Sequence, residues 1–326
     1  MLVLWITLGV LGLLIVLVIT LFIAVLTAHN KMFNKRYMPP KIDSYTAEEF
    51  ELECQRVEIN HKGEFIRGYI YTYGEYDKNK IVVFCHGMAS TKESYLQEIA
   101  YLAHNGLMVL AFDYFGTNES DGYLGGFANS LYSTNIVIDY IKANSNLKDK
   151  DIYVCGHSWG GYAALNIVKF HNDIKGIVAL APVVSFKKIL RESKKKRNIF
   201  VTLLLMLIEE MKYDKFASCD GLNSLKDYNG KILIAQSTND PEVPFNSSLG
   251  YLRDGLGTKA EYIINEDRFH NPDYKKEAVD KLMAFYSEVG KYSGDELVEF
   301  MNKQKFREMG ELDPEVMDKI VKFVKN

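Results

Sequence analysis

The 326-residue sequence predicts an α/β fold, in which a mostly parallel sheet carries helices on both faces and one transmembrane helix precedes it. Continuous apolar runs at 80–85 and 231–236 are typical of parallel strands that are covered on both sides. Helix-like segments alternate with such runs, which favours right-handed crossovers within one sheet. Without its membrane segment the chain keeps about 290 residues, enough for one large α/β domain or two small ones.

The N-terminal segment has no charged residue from Leu2 to Ala28. A helix of this length can cross a hydrocarbon core of about 30 Å. A cleaved signal peptide is the alternative, but no basic residue precedes the run, and the run exceeds the roughly 7–15 apolar residues of such a peptide. We therefore predict an uncleaved, single-pass anchor at 1–30 in the cell membrane, followed by a juxtamembrane linker at 31–50.

Basic residues follow this segment, whereas only the α-amine precedes it. They are Lys31, Lys35, Arg36 and Lys41. The positive-inside rule then places the C-terminal body in the cytoplasm. The four cysteines lack C-x-x-C spacing, which argues against metal and redox chemistry, and free thiols agree with a reducing compartment. A net charge of −3 gives no basic signal for nucleic acid, and no motif indicates a protein partner.

The first elements of the body are a hairpin and two strand–helix pairs. Segments 51–60 and 64–73 alternate polar and apolar residues around a His-Lys-Gly turn, as in an antiparallel hairpin with one buried face. A buried strand at 80–85 precedes a helix at 92–104, which Asn105-Gly106 closes as a C-cap. A second buried strand follows at 107–112, and a helix follows it at 130–143.

The remaining elements continue the same alternation. They are a strand at 151–155, a helix at 161–171, strands at 176–181, 231–236 and 260–264, and a helix at 274–289. A C-terminal helical extension is predicted at 293–326, where Asp313-Pro314 is a typical helix start. Its apolar stripe, with residues 316, 317, 320, 321 and 324, is expected to pack on the core, with a partner surface as the alternative.

The alternation breaks between residues 183 and 230, where we predict a helical cap. A basic run at 191–197 precedes an apolar run at 199–208 that is too short to span a bilayer. One interpretation is a helix that is simply buried on the domain surface. The other is a lid over the substrate pocket, which would hold an acyl chain and contact the anionic inner leaflet through its lysines.

Ser158 stands at the centre of a G-x-S-x-G pattern between a predicted strand and a predicted helix. Such a turn is strained, and side chains at Gly156 and Gly160 would clash with neighbouring backbone. It exposes the serine hydroxyl and directs the backbone N–H of Trp159 towards a developing oxyanion. A chance serine in a small-residue turn is the alternative, but this position favours a nucleophile.

A serine nucleophile needs a base, and the sequence has seven histidines. Six stand beside the membrane, in a hairpin turn, in glycine-flanked strand ends or at helix ends: His29, His61, His86, His157, His104 and His171. His270 instead lies in the loop after the last predicted strand. Such loops gather at the carboxyl edge of a parallel sheet, on the same side as Ser158, so His270 is the predicted base.

The acid that orients the base is predicted to be Asp240, with Glu242 as the second choice. Both follow the strand at 231–236, and turn formation is the alternative role of Asp240. The strand at 176–181 has no carboxylate after it, which removes the usual competing position. The second oxyanion donor is expected after the strand at 80–85, where the backbone N–H of Met88 is the natural candidate.

These motifs resemble those of the α/β-hydrolase superfamily, in its monoacylglycerol-lipase-like and carboxylesterase-like branch. The matching pieces are His86-Gly87-Met88, the D-x-x-G-x-x-x-S loop with Asp113, Gly116 and Ser120, the segment 156–161, Asp240 with Val243-Pro244, and His270. The resemblance covers about residues 60–290 and implies an α/β-hydrolase domain at 51–292, a cap in the 183–230 insertion, and no cofactor. Tyr114 and Phe115 replace the polar residues that are usual there, and are expected to add aromatic surface.

The resemblance implies an acyl-enzyme mechanism on carboxylic esters or thioesters, with lipid-like or small acyl groups as substrates. The family also contains peptidases and noncatalytic members, so fold alone does not determine the reaction. Two alternatives therefore remain: a serine hydrolase that cleaves amides or peptides, and a noncatalytic scaffold in the membrane.

Overall fold

A computed structural model describes residues 1–39, 45–192 and 198–326. In this part of the chain, eight strands form one sheet. In chain order they are β1 (Glu53–His61), β2 (Glu64–Thr72), β3 (Lys80–Cys85), β4 (Val109–Phe112), β5 (Asp151–His157), β6 (Gly176–Leu180), β7 (Lys231–Ser237) and β8 (Glu261–Asn265). Their order in the sheet is β1-β2-β4-β3-β5-β6-β7-β8.

The sheet is antiparallel only on one side, where β1 pairs with β2 and β2 with β4. From β4 to β8 every neighbouring pair is parallel. The parallel strands therefore all end at one edge, where Cys85, His157 and Ser237 finish β3, β5 and β7. The predicted mostly parallel sheet and the predicted hairpin are confirmed.

Helices alternate with the parallel strands and also extend the chain at both ends. They are α1 (Leu2–Phe33), α2 (Leu96–His104), α3 (Asn129–Ala143), α4 (Trp159–Ile167), α5 (Phe186–Glu192), α6 (Ile199–Tyr213), α7 (Gly221–Leu225), α8 (Leu249–Leu256), α9 (Lys276–Val289), α10 (Gly294–Asn302), α11 (Phe306–Met309) and α12 (Pro314–Lys325). A short 3₁₀ turn, Lys92–Tyr95, leads into α2.

Two apolar layers cover the two faces of the sheet, because side chains alternate along each strand. Ile81 and Val83 of β3 belong to the layer that contains residues of α3, α4 and the cap. Val82 and Phe84 point to the opposite layer, which contains residues of α2 and α12. The predicted α12 stripe is buried at every position, so its interpretation as core packing is confirmed.

The insertion between β6 and β7 is helical, as predicted, and consists of α5, α6 and α7. Most of the basic run at 191–197 lies outside the described residues, so its proposed contact with lipid stays a prediction. On α6, Leu205 and Ile208 are buried whereas Phe200 and Leu203 are exposed. The helix is thus only half covered by the body.

The N-terminal helix α1 has the length and hydropathy to span a membrane, although a signal sequence would meet the same two criteria. Its last turns pack against the body, where Val25, His29 and Phe33 are buried. The chain then pairs with the body through a bridge between Tyr37 and Thr117. Residues 40–44 of the predicted linker lie outside the described residues, and the predicted domain boundaries stay predictions.

Candidate active site

Ser158 occupies the turn between β5 and α4, with φ 56° and ψ −109°. This backbone conformation is rare for a residue with a side chain and is typical of functional turns. The backbone N–H of Ser158 donates to the Leu180 carbonyl at 2.8 Å. A Cβ at Gly156 would lie 2.3 Å from the Gly160 carbonyl oxygen, and one at Gly160 would lie 2.0 Å from the Cys85 carbonyl oxygen. The predicted need for both glycines is therefore confirmed.

His270 and Asp240 meet at the same edge of the sheet, where His270 Nδ1 lies 2.8 Å from Asp240 Oδ2. The Asp240 side chain is fully buried, and that of His270 is 18% exposed. An ionised carboxylate can only accept, so His270 carries its proton on Nδ1. Its Nε2 then has a free lone pair, which is the form required of a general base.

The Asp240 carboxylate is held in place by three further donors. Its Oδ1 accepts the backbone N–H groups of Glu242 and Val243 at 2.9 and 3.0 Å. Its Oδ2 accepts the side-chain amide of Gln236 at 3.1 Å. The Glu242 side chain is exposed. The geometry thus favours Asp240 over Glu242 as the partner of His270.

The residue before Ser158 fastens the His270 loop to the turn. His157 Nε2 lies 2.8 Å from the backbone oxygen of His270, and the two imidazole rings are 4.8 Å apart. Burial lowers the pKa of His157 to about 3, so this imidazole is neutral and donates from Nε2. His270 and Asp240 are therefore in direct contact, and His157 holds the backbone of the His270 loop beside the Ser158 turn, while among the described residues no hydrogen bond joins Ser158 Oγ to His270 Nε2.

The same histidine connects to the loop after β3, which contains the predicted second oxyanion donor. Tyr95 donates its hydroxyl proton to His157 Nδ1 at 2.7 Å and accepts the backbone N–H of Gly87 at 3.1 Å. Met88 follows directly, with an exposed side chain. Trp159 begins α4, and the backbone N–H groups in the first turn of a helix have no intrahelical acceptor. That the backbone N–H groups of Met88 and Trp159 act as oxyanion donors stays a prediction.

The aromatic pair after β4 differs from expectation. Tyr114 and Phe115 do not add aromatic surface, because both are buried. The Tyr114 hydroxyl donates to the His86 carbonyl at 2.9 Å, and its ring packs on His86 and Trp159. Burial lowers the pKa of His86 to about 4, so this histidine is neutral and structural. Tyr114 thus packs beneath the turn that follows β5, whereas Phe115 packs on His61 and Tyr132.

Three carboxylates meet beside this loop with a spacing that could hold a cation. They belong to Glu93, Asp113 and Glu119. The Lys92 ammonium lies among them, at 2.6 to 2.9 Å from each. Burial disfavours the charge on Lys92, but the surrounding carboxylates outweigh burial and raise its pKa. The cluster is therefore an internal ion-pair network.

A second pair of acidic residues consists of Glu98, on α2, and Asp273. Glu98 is buried, and its Oε1 finds no hydrogen-bond partner among the described residues. Burial, together with the nearby Asp273, raises the pKa of Glu98 well above its usual value. Burial also raises the pKa of Asp273 to about 6. Both carboxyls therefore bind protons more tightly in the folded protein than in the unfolded chain.

This tighter binding makes stability depend on pH. The contribution of these protonated carboxyls to the free energy of unfolding is present in full below about pH 4, the ordinary carboxyl range. It is lost as pH rises through 6 and above. Glu98→Gln is expected to raise Tm at pH 8 by roughly 2–4 °C, or about 1 kcal/mol, with little change at pH 5. Thermal unfolding of the detergent-solubilised protein at both pH values measures this difference. Exposed Glu277→Gln is the control, and an identical pH slope for Glu98→Gln and wild type would contradict the assignment.

Two supporting residues were not predicted from the sequence. Tyr95 is separated by 8 residues from Gly87 and by 62 from His157, so no local motif marks it. Gln236 is the last-but-one residue of β7 and reads as an ordinary strand end, yet its amide also donates to the Val243 carbonyl at 2.6 Å. Only the position of Gln236, four residues before Asp240, could have suggested its role.

Residues 76–247, more than half of the chain, match the model of the serine aminopeptidase S33 family. No curated protein matches the sequence. The structure is similar to an esterase from Pyrococcus furiosus, with a TM-score of 0.56 and 20% identity over 78% of this chain and 96% of the other. A Butyrivibrio proteoclasticus protein with bound ferulic acid is similar at a TM-score of 0.56 and 18% identity, over 71% and 97% of the two chains. A puromycin-hydrolysing peptidase from Mycobacterium tuberculosis gives 0.53 and 17%, over 68% and 36%.

Proposed function

Since the chain belongs to the serine aminopeptidase S33 family of α/β-hydrolases, we propose that it is a membrane-anchored serine hydrolase that cleaves carboxylic esters or thioesters. The substrates are lipid-like or small acyl esters. The observation that carries the proposal is the 2.8 Å contact between His270 and buried Asp240, in a loop that His157 ties to Ser158.

The proposed reaction begins when His270 Nε2 takes the proton of Ser158 Oγ, which attacks the acyl carbonyl. The backbone N–H groups of Trp159 and Met88 stabilise the oxyanion. Asp240 stabilises the imidazolium, which returns its proton to the departing alcohol or thiol. Water then enters, loses a proton to His270 and attacks the acyl-enzyme, so that the acid is released and Ser158 is restored. The residues themselves supply every proton transfer.

A fluorophosphonate probe tests the nucleophile directly, because it reacts with activated serines. Wild type and the exposed control Ser287→Ala are expected to be labelled, whereas Ser158→Ala is not. The same substitution is expected to lower kcat for p-nitrophenyl esters by about 10⁶-fold. Equal labelling of wild type and Ser158→Ala would overturn the proposal, and inactivity of wild type on every chain length from acetate to palmitate would favour a noncatalytic scaffold.

Amide or peptide cleavage is the second candidate, favoured by the match to a family described as aminopeptidases. The same nucleophile would act, so labelling cannot separate the two. Aminoacyl p-nitroanilides separate the two, because a peptidase is expected to turn over these amides whereas an esterase is expected to cleave the p-nitrophenyl esters alone.

The proposed membrane placement has α1 as an uncleaved anchor with the body in the cytoplasm. Its support is the exposed apolar length of α1 and the basic residues Lys31, Lys35 and Arg36 at its C-terminal end. A topology reporter fused to the C-terminus is expected to signal from the cytoplasm. A signal from the outside would reverse the orientation.

A further inference from the structure

The cap helix α6 has one buried face and one exposed apolar face. The exposed face consists of Ile199, Phe200, Leu203, Leu207 and Met211, which we call the α6 stripe. At about 100° per residue these side chains occupy an arc of roughly 120°. The opposite side of the helix contains buried Thr202, Leu205, Ile208 and Glu209. Exposed Glu210 lies within the same arc, so the apolar surface is continuous from Ile199 to Leu207.

The buried face of α6 packs against α1. Glu209 Oε1 lies 2.8 Å from His29 Nε2, and both side chains are almost completely buried. One turn later, Lys212 Nζ donates to Asn30 Oδ1 at 3.0 Å and lies 3.5 Å from Asn34 Oδ1. Residue numbers rise together along these contacts, so the two helices run side by side in the same direction. The first turns of α6 therefore point back along α1 towards its N-terminus.

Burial along α1 changes from none to one-sided near residue 22. Every residue from Met1 to Leu21 is exposed. From there the covered positions follow a helical spacing: Phe22, Val25, Leu26, His29, Asn30 and Phe33. About 20 residues suffice to cross a hydrocarbon core of about 30 Å, which matches the fully exposed part of α1. The boundary between bilayer and body then lies near residues 21–22.

The α6 stripe reaches this boundary. Ile199 precedes Glu209 by ten residues, or about 15 Å of helix. Because Glu209 is level with His29, Ile199 comes level with about residue 19 of α1, within the fully exposed segment. Water-facing surface is an unfavourable place for this many large apolar side chains, whereas lipid is their ordinary environment at that depth.

We propose that the first turn of the α6 stripe, with Ile199, Phe200 and Leu203, is a membrane-insertion surface, occupied by the acyl chains of the bilayer that α1 spans. This inference rests on the proposed membrane anchorage of α1. From Ile199 to Leu207 the exposed face of α6 has no charged residue, and its first turn lies level with the exposed apolar part of α1. The start of the cap helix α6 therefore lies within the membrane surface, and the cap is not held at a distance from it.

The inserted helix is connected to the proposed nucleophile through short contacts. Glu209 accepts the backbone N–H groups of Phe127 and Ala128 at 2.7 and 3.0 Å. The Phe127 carbonyl in turn accepts the indole N–H of Trp159 at 2.6 Å, and Trp159 follows Ser158. These contacts place the inserted helix beside the proposed catalytic turn. The substrates would then be acyl esters that reside in the bilayer, which the enzyme takes from the lipid phase.

Spin labelling of the full chain in phosphatidylcholine–phosphatidylglycerol vesicles tests the insertion. A cysteine is placed at Ile199 or, separately, at Phe200 in a Cys54→Ser background, because Cys54 is the exposed native thiol and Cys85, Cys155 and Cys219 are buried. Relative accessibility to oxygen and to a water-soluble nickel chelate reports depth. Both labels are expected about 5–10 Å below the headgroups. Leu14→Cys on α1 is the lipid reference and Val298→Cys on α10 the aqueous reference, and thermal unfolding verifies that each variant is folded.

The outcomes separate the insertion from the function it deepens. Nickel accessibility at 199 and 200 equal to that at 298 would overturn the insertion. Shielding from both reagents, with spin–spin broadening that disappears on dilution with unlabelled protein, would show that a second copy covers the stripe and would also overturn it. An aqueous label at Leu14 would show that α1 does not span the bilayer and would remove the premise. Hydrolysis of p-nitrophenyl esters, measured on the same samples, tests the proposed chemistry independently.

Discussion

Asp240→Asn is expected to lower kcat for ester hydrolysis by about 10⁴-fold with the fold intact. Asp240 Oδ1 accepts two backbone N–H groups, and Oδ2 accepts from both Gln236 and His270. In either orientation the asparagine NH₂ faces donors, so the carboxamide cannot reproduce this pattern. Where it faces His270, the imidazole moves its proton to Nε2 and can no longer take the Ser158 proton. The measurement is kcat on a p-nitrophenyl ester beside the Tm of the same sample.

Glu242→Gln is the matched control, because its carboxylate is exposed and only two residues away. It is expected to retain wild-type kcat within a small factor. A large loss in Glu242→Gln together with an active Asp240→Asn would transfer the role of the acid to Glu242. A fall in the Tm of Asp240→Asn that is large enough to unfold the variant at the assay temperature would instead show that Asp240 acts on stability.

Lys92→Met is expected to destabilise the protein by about 3–5 kcal/mol. Lys92 and Asp113 are both fully buried, with Nζ 2.7 Å from Oδ2. Removing the ammonium leaves the Asp113 carboxylate buried next to Glu93 and Glu119 without its cation. This loss corresponds to a fall in Tm of roughly 10 °C, measured by thermal unfolding of the detergent-solubilised chain.

Lys319→Met on the exposed side of α12 is the control and is expected to change stability by less than about 0.5 kcal/mol. The double variant Lys92→Met/Asp113→Asn removes the buried charge together with its cation and is expected to regain part of the loss. A single variant as stable as wild type would show that the network contributes nothing to the folded state.

The predicted α/β-hydrolase fold is confirmed. It could be predicted because local signals in the sequence mark its strands. The runs at 80–85 and 231–236 are apolar at 81–85 and 232–235 and correspond to β3 and almost all of β7. The elbow around Ser158 was visible because G-x-S-x-G is a local pattern. Of its two glycines, Gly156 is required by a contact within five residues, whereas Gly160 is required by the distant Cys85 carbonyl. His270 could be singled out since it follows β8 directly. Its meeting with Asp240 depends only on strand order, which the alternation of elements predicts.

Features that depend on distant contacts were not accessible in this way. Tyr114 looked like a surface residue because its partners, His86 and Trp159, are 28 and 45 residues away. The helix α8 was not predicted, since three glycines in 250–257 weaken its local signal. The docked face of α1 was concealed by a run that is apolar on every side, and its key contact joins residues 180 positions apart.

The contacts at the end of α1 also determine how far the body can move. The carbonyls of Phe33 and Lys35 accept the backbone N–H groups of Gly125 and Leu124, and Tyr37 donates to the Gly116 carbonyl. A flexible ten-residue linker would let a tethered domain wander over about 17 Å. In this chain, hydrogen bonds hold residues 33–37 directly on the body. Ser158 therefore keeps a fixed distance and orientation relative to α1. With α1 in the membrane and bilayer esters as substrates, as proposed above, the relevant substrate concentration is a density within a thin layer at the membrane, and bulk molarity is a poor measure of it.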